Sequence, residues 1–89
     1  MRAVITVIGK DKVGIIASLS AICQKYNINI IDITQKVLSD IFTMIMIVSI
    51  DDNKDDFKNL VDAMDKASDE LELEIHVMHE DIFNSMHKI

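Results

Sequence analysis

The spacing of apolar residues divides the first part of the chain into a strand, a loop and a helix. Residues 3–8 (AVITVI) form a β-branched run typical of a buried strand, which Gly9 is expected to end. The polar residues 10–14 predict a loop, and Asp11 is the expected N-cap of the next helix because its carboxylate can accept backbone N–H hydrogen bonds. The apolar stripe of that helix comprises Ile15, Ile16, Leu19, Ile22, Cys23 and Tyr26.

A hairpin is expected after this helix, which Asn27 should end. Residues 29–37 alternate between apolar and polar side chains and predict a second strand. Ser39 and Asp40 form a turn-like pair before the third strand. One face of the third strand consists of Phe42, Met44, Met46, Val48 and Ile50, and the other of Thr43, Ile45, Ile47 and Ser49. Both faces are partly apolar, which predicts a central strand.

The rest of the chain predicts a helix, a fourth strand and a short C-terminal helix. The acidic residues 51–56 suit the positive end of a helix dipole. The apolar stripe of the second helix comprises Phe57, Leu60, Val61, Met64, Ala67 and Leu71. Residues 73–77 alternate and predict a strand, and residues 81–89 predict one or two helical turns. The apolar side of these turns would carry Ile82, Phe83, Met86 and Ile89.

The order β-α-β-β-α-β repeats a β-α-β unit. With right-handed crossovers, it predicts a single α+β domain over residues 1–89, a ferredoxin-like sandwich. It has a four-stranded antiparallel sheet, two helices on one face and a short C-terminal helix. We expect the helices to cover Ile31, Ile33, Phe42, Met44, Met46, Leu73 and Ile75. The other face would show Thr34, Lys36, Ile45, Ile47, Glu74 and His76, where the isoleucines form an apolar patch that needs a cover.

Composition and charge exclude several classes of function. The chain has 89 residues, of which 49% are hydrophobic and 27% charged, as in one ordinary globular domain. Its longest uncharged run, residues 13–24, is too short to span a membrane. A single cysteine and the absence of a signal pattern predict a cytoplasmic protein. The net charge of −6 argues against nucleic acid. Residues 1–45 have five basic and three acidic residues, and residues 46–89 have four basic and twelve acidic ones, so an anion is expected to bind in the first half.

The glycine-containing loop is the first candidate for a binding site. Gly9 and Gly14 have the spacing of a phosphate loop, but two isoleucines stand where such a loop needs Lys followed by Ser or Thr, which argues against a nucleotide-phosphate site. One alternative is a capped turn in which Gly14 allows the helix and strand to approach closely. The other is a helix N-terminus that binds a small carboxylate beside Lys10 and Lys12.

Other polar residues offer weaker signals. Asp11 and Asn29 could hold the ammonium of an amino acid while the backbone binds its carboxylate, or they could be only a cap and a turn amide. His76 and His79 point to opposite faces of a strand, so no metal site is expected. Cys23 lies in an apolar stripe and is expected to be a core thiol. No catalytic residue and no cofactor are assigned.

Several segments resemble an ACT domain, the small regulatory module that senses amino acids in many metabolic enzymes. They are AVITVIG in the first strand, DKVGI at 11–15, YNINI at 26–30, and ITQ at 33–35 followed by FTM at 42–44. The Asp-x-x-Gly-Ile and Asn-Ile-x-Asp-x-x-Gln patterns are most similar to the ACT modules of formyltetrahydrofolate hydrolases and of the glycine-cleavage transcriptional repressor. The length and the ending at 81–89 resemble a family of stand-alone ACT proteins of unassigned function.

The resemblance implies an amino-acid site, usually placed across a dimer interface. In amino-acid-binding ACT domains, the residue three before the loop glycine and an Asn that opens the second strand contact the effector. The implied ligand-binding residues here are Asp11, Lys12, Val13, Gly14, Ile15 and Asn29, with Gly14 supplying a close backbone approach. Many members have Pro where this chain has Val13, so the loop here keeps an N–H and is less rigid.

Two functional hypotheses follow. The first is a non-enzymatic regulatory homodimer that binds a small amino acid or a related carboxylate. The second is an interaction module without a small ligand, which docks on a metabolic enzyme or regulator through the open face that carries Ile45 and Ile47. Both hypotheses predict a dimer, formed by pairing sheet edges or by stacking open faces, with a contribution from the C-terminal segment.

Overall fold

The predicted order of strands and helices is present in the computed structural model, which describes residues 1–10, 13–51 and 54–86. The elements are β1 (Arg2–Lys10), α1 (Ile15–Lys25), β2 (Asn29–Leu38), β3 (Ile41–Ser49), α2 (Lys54–Leu71), β4 (Glu74–His79) and α3 (Glu80–Met86). The strands form one antiparallel sheet in the order β2-β3-β1-β4, which confirms the ferredoxin-like α+β fold. No helix among the described residues is long and apolar enough to cross a membrane.

Strand β1 is longer than predicted. The sequence suggested that Gly9 ends it, but Gly9 pairs with Phe42, and Lys10 pairs with Ile41. The ladder to β3 therefore continues through the glycine. A Cβ atom on Gly9 would overlap the Cδ2 atom of Leu73, so this is the glycine that permits a close approach in the fold.

Helix α1 begins later and ends where the sequence predicted. Its N-cap is Gly14, so the expectation of an N-cap at Asp11 is wrong, and Asp11 and Lys12 lie outside the described residues. At the other end, Asn27 adopts a left-handed φ of 58°. The Ile28 N–H donates to the Cys23 carbonyl at 2.8 Å, and the Asn27 N–H donates to the Gln24 carbonyl at 3.1 Å. This hydrogen-bond pattern is a Schellman motif, which confirms Asn27 as the stop.

The core lies between the sheet and the two long helices. All five residues predicted for the inner face of β3 are buried, and Leu19, Leu60 and Met64 of the helices are fully buried against them. One prediction for this face is wrong, because Ile31 is 47% exposed. A β-bulge between residues 30 and 32 of β2 interrupts the alternation, so Ile30 packs against the core instead.

The opposite sheet face, called the open face here, is partly covered by α3. Paired strands place Thr34, Ile45 and His76 on this face, as predicted, together with Val4 and Thr6 of β1. Val4 is only 1% exposed although it faces away from α1 and α2, and α3 packs against β1 and β4.

An ion pair between Arg2 Nε and Glu80 Oε2, at 2.9 Å, joins the start of α3 to β1. Phe83 and Met86 of α3 border the open face, although the sequence suggested that they have little to cover within one domain. Ile82, one helical turn before Met86, is 55% exposed. Ile89 lies outside the described residues. The apolar patch thus obtains part of its cover from the C-terminal helix of the same chain.

Candidate functional site

A cleft of about 420 Å³ lies between the first turn of α1 and the hairpin end of β2 and β3. We call it the α1 cleft. It is lined by residues 14–17 from the N-cap and first turn of α1, by residues 35–37 of β2, and by Phe42 of β3. Its volume is in the range of small-molecule sites in proteins.

The first turn of α1 contributes three backbone donors to this cleft. The first hydrogen bond within the helix runs from the Ser18 N–H to the Gly14 carbonyl, at 2.9 Å. The N–H groups of Ile15, Ile16 and Ala17 therefore precede the helical ladder and have no carbonyl acceptor within the helix. The N-cap forms no side-chain hydrogen bond, and the first turn contains no acidic residue. The positive end of the helix dipole is thus available to an anion.

Gly14 is needed at this turn for its backbone conformation. Its φ is +89°, a left-handed value that residues with a Cβ atom rarely adopt. No heavy atom of the described residues lies within 4 Å of the position that its Cβ would take, so the expectation that Gly14 allows the helix and a strand to approach closely is wrong. The glycine turns the chain from the exposed Val13 into α1, whose first-turn residues line the α1 cleft.

The site residues implied by the resemblance are not all close together in one copy of the chain. Gly14 and Ile15 line the α1 cleft, whereas Asn29 lines another cleft, of about 380 Å³, beside the C-terminal end of α1. Asn29 precedes Gln35 by six residues on the same strand, which is ~20 Å at the usual rise per residue. Asn29 can therefore reach an α1 cleft only if it comes from a second copy.

The sequence did not predict several of the residues that line the α1 cleft as site residues. They are Ile16, Ala17, Gln35, Lys36, Val37 and Phe42. The predicted hairpin turn at residues 39–40 already places Val37 opposite Phe42. What the sequence did not provide was the position of the α1 N-terminus above this hairpin, because that depends on how the helix packs on the sheet.

Cys23, His76 and His79 lie where the sequence predicted them. Cys23 is 1% exposed, and burial raises the pKa of its thiol, as expected for a core cysteine. His76 pairs with Thr6 and His79 with Ala3, so the two histidines lie on opposite faces of the sheet. Among residues 1–10, 13–51 and 54–86, no three His, Cys, Asp or Glu side chains form a group that could hold a metal ion.

Comparison with known proteins identifies the family. The model of the ACT domain family matches residues 2–78. The chain is 48% identical over 89 residues to a UPF0237 protein of Clostridium perfringens, with 100% of both chains covered. It is 44% identical over 88 residues to a UPF0237 protein of Methanocaldococcus jannaschii, with 99% and 98% covered. An ACT domain protein from Streptococcus pneumoniae has a similar structure, with a TM-score of 0.80, 40% identity and 93% of each chain covered.

More distant structures share the fold alone. A putative glycine cleavage system transcriptional repressor has a TM-score of 0.78 at 20% identity, with 89% of this chain and 47% of that chain covered. The formyltetrahydrofolate deformylase from Burkholderia mallei has a TM-score of 0.77 at 9% identity, with 89% and 28% covered. These findings confirm the resemblance that the sequence motifs indicated. The chain belongs to the ACT domain family and, within it, to the UPF0237 proteins.

Proposed function

We propose that this protein is a non-enzymatic regulatory ACT protein that binds a small amino acid, or a related carboxylate, in the α1 cleft. The observation that carries the proposal is the set of three N–H groups, from Ile15, Ile16 and Ala17, that border the cleft without an acceptor in the helix. A carboxylate bound there would accept these hydrogen bonds at the positive end of the helix dipole.

The other walls of the α1 cleft suit the rest of an amino acid. Gln35 supplies a side-chain carbonyl that can accept a hydrogen bond from an ammonium group, the task that the residue types in the sequence suggested for Asp11 or Asn29. Val37 and Phe42 supply apolar surface for the side chain of the ligand. A cleft of this size and chemistry favours a small amino acid over a nucleotide.

The separation of Gly14 from Asn29 supports a homodimer that pairs β2 with β2. Strand β2 lies at an edge of the sheet, and nearly all of its residues are exposed or half-exposed. An unpaired edge strand of this kind presents N–H and C=O groups to another strand. Antiparallel pairing of two copies would bring the start of β2 in one copy to the end of β2 in the other.

Charge complementarity favours one register for this pairing. Asp32 and Lys36 lie on the same sheet face, because they pair with Ile47 and Thr43 of β3. Antiparallel pairing centred on Thr34 would place Asp32 of each copy opposite Lys36 of the other, and cross-strand pairs of opposite charge stabilise sheets. In this register Asn29 of the second copy lies beside the hairpin end of β2, where residues 35–37 border the α1 cleft.

Thermal unfolding against the twenty amino acids tests the proposal. A ligand at a hundred times its dissociation constant stabilises the folded state by about 2.7 kcal/mol, which is roughly 10 °C or more for a small domain. Asn29→Ala should remove the shift, and Asn59→Ala, a matched exposed control on α2, should retain it. The absence of a shift with every amino acid would contradict the proposal.

The second candidate function is a docking module for a metabolic enzyme or regulator. Exposed apolar side chains at the hairpin end of the open face favour it, since Leu38 is 59% and Ile41 50% exposed. A pull-down that recovers a stable partner, and loses it with Ile41→Asp, would support this function. Recovery that is unchanged by Ile41→Asp would count against docking through this part of the open face.

A further inference from the structure

The open face is covered by α3 at only one end. The strand register aligns its side chains in rows that cross the sheet. The row of Val4, Ile47 and Met78 is covered, and Val4 is 1% exposed. Four residues further along β1, ~13 Å away, Ile8 is 45% exposed. A cleft therefore opens between the end of α3 and the uncovered rows of the sheet.

This open-face cleft has a mostly apolar lining and a volume of about 460 Å³. Its residues are Thr6, Ile8, Thr43, Ile45, His76, Met78, Phe83 and Met86. The sheet forms its floor and α3 one wall, so a bound molecule would touch protein on two sides. The Thr6 and Thr43 hydroxyls and the His76 ring are the hydrogen-bonding side-chain groups of the floor. Because the cleft lies on the sheet face opposite α1, it is separate from the α1 cleft.

Positive charge lies at the hairpin end of the open-face cleft. Lys36 is directly opposite Thr43 in the register, and Lys10 follows Ile8 by two residues on β1, so both lie on the open face. Within the part of the chain that the structure describes, neither lysine forms an ion pair with a carboxylate. Glu74, in the row of Ile8, contacts the His76 ring at 3.1 Å. Lys36 faces Asp32 of the second copy in the dimer proposed above, so Lys10 is the charge that remains available to an anion at this end of the cleft.

We propose that the open-face cleft binds a small amphiphilic carboxylate with an aromatic or branched aliphatic body. The body contacts Ile8, Ile45 and Met86, and the carboxylate lies toward Lys10, where the Thr43 hydroxyl can donate to it. The apolar lining, the size of the cleft and the positive charge at one end together select this class of molecule. The proposal is independent of amino-acid binding in the α1 cleft.

A pair of probes tests both the body and the charge of the ligand. The probes are 3-phenylpropionate and its neutral analogue 3-phenylpropanol, titrated while the backbone amide NMR signals of the full chain are recorded. The titrations are repeated with Ala17→Glu, which blocks the α1 cleft, so that the two clefts are distinguished. We expect shifts at Ile8, Thr43 and His76 in both proteins, and the acid should bind at least fivefold more tightly than the alcohol.

Matched variants complete the test. Ile8→Ser should weaken the binding of both probes at least fivefold. If the Ile8→Ser variant does not fold, Met86→Ser is used in its place, with the same expected result. Ile82→Ser, on α3 but outside the cleft, should change neither affinity. Lys10→Met should weaken only the acid, at least threefold.

Three outcomes would overturn the proposal. The first is equal affinity for the acid and the alcohol, which would remove the role of the charge. The second is a set of shifts confined to residues 14–17, which would place the acid in the α1 cleft alone. The third is concentration-dependent shifts of the open-face amides without any probe, which would show that a second copy of the chain fills the cleft.

Discussion

Substitution of Ala17 by Glu should raise stability and abolish ligand binding at the same time. Ala17 is exposed and is the third residue of α1. A carboxylate there can reach the backbone N–H of Gly14 and interact with the positive end of the dipole. This interaction contributes about 0.3–1 kcal/mol, against a few tenths lost in helix propensity relative to Ala. We expect a net gain of about 0.5 kcal/mol, which corresponds to roughly 2–4 °C in Tm.

The same carboxylate should exclude an amino acid from the α1 cleft. It would place a negative charge beside the Ile15 and Ile16 N–H groups that the ligand carboxylate needs, and this like charge would repel the ligand. We expect at least a tenfold loss of affinity, or about 1.4 kcal/mol. The matched control is Ala21→Glu, because Ala21 is also exposed but lies one turn later in α1, beyond the reach of the N-terminal donors.

Thermal unfolding with and without the amino acid that stabilises the natural chain measures both effects. Ala17→Glu should raise the Tm of the free protein and show no ligand shift, whereas Ala21→Glu should lower the Tm slightly and keep the shift. If Ala17→Glu lowers the Tm as much as the control does, then the donors of α1 are already satisfied and our account of the helix start is wrong. If it keeps the ligand shift, the amino acid binds elsewhere.

Complementation tests whether two copies build the site. In a mixed dimer of Ala17→Glu and Asn29→Ala chains, one α1 cleft is intact and faces an intact Asn29. A mixture of the two variants, refolded together, should therefore recover binding at one site in each mixed dimer. A mixture that binds no better than either variant alone would contradict a shared site.

The fold makes three further predictions. Gly14→Ala should lower the free energy of unfolding by about 1–2 kcal/mol because of the left-handed φ alone, and Gly14→Asn should lower it less. Gly9→Ala should lower it by about 1–3 kcal/mol because the new Cβ overlaps Leu73 in the core. Urea unfolding measures all three changes. Burial raises the pKa of the Cys23 thiol from its ordinary value of 9.0. The stability that the neutral buried thiol provides is therefore complete below pH 9.0 and is lost as the pH rises further. In urea unfolding, a Cys23→Ala variant should lose less stability at alkaline pH than the natural chain does. Asp32→Lys should weaken self-association in sedimentation equilibrium, because it places two lysines opposite each other in the proposed β2 pairing. Adding Lys36→Asp should restore self-association. If it does not, β2 does not pair in the proposed register.

The fold was largely predictable because its signals are local and repeated. The five alternating apolar residues of β3 and the helical stripe of α1 each determine which side of an element is buried. Asn27 could be predicted as the end of α1, because asparagine tolerates a left-handed conformation better than most residues. The exposed Ile31 could not be predicted, since a bulge adds a residue to β2 without leaving a distinctive residue type in the sequence.

The candidate site was less predictable, because it depends on contacts between distant segments. The sequence assigned a close helix–strand approach to Gly14, whereas the close contact in the fold is between Gly9 and Leu73, which are far apart in the sequence. It also grouped Asn29 with Gly14 by resemblance. The α1 cleft that Gly14 lines lies at the hairpin end of β2, whereas Asn29 begins that strand, and the sequence did not reveal this separation. A site that uses both residues would therefore take Asn29 from a second copy.

The start of α1 departs from what helix stability alone would favour. An Asp or Ser N-cap and an acidic first turn would satisfy the free N–H groups, yet the chain has Gly14 at the cap and Ile15, Ile16 and Ala17 after it. Such local departures are expected where a site needs donors that its own side chains do not occupy. A purely structural helix would gain stability from Ala17→Glu and lose nothing. A ligand site gains the same stability and loses its function, which is why the stability and the affinity of that one variant must be measured together.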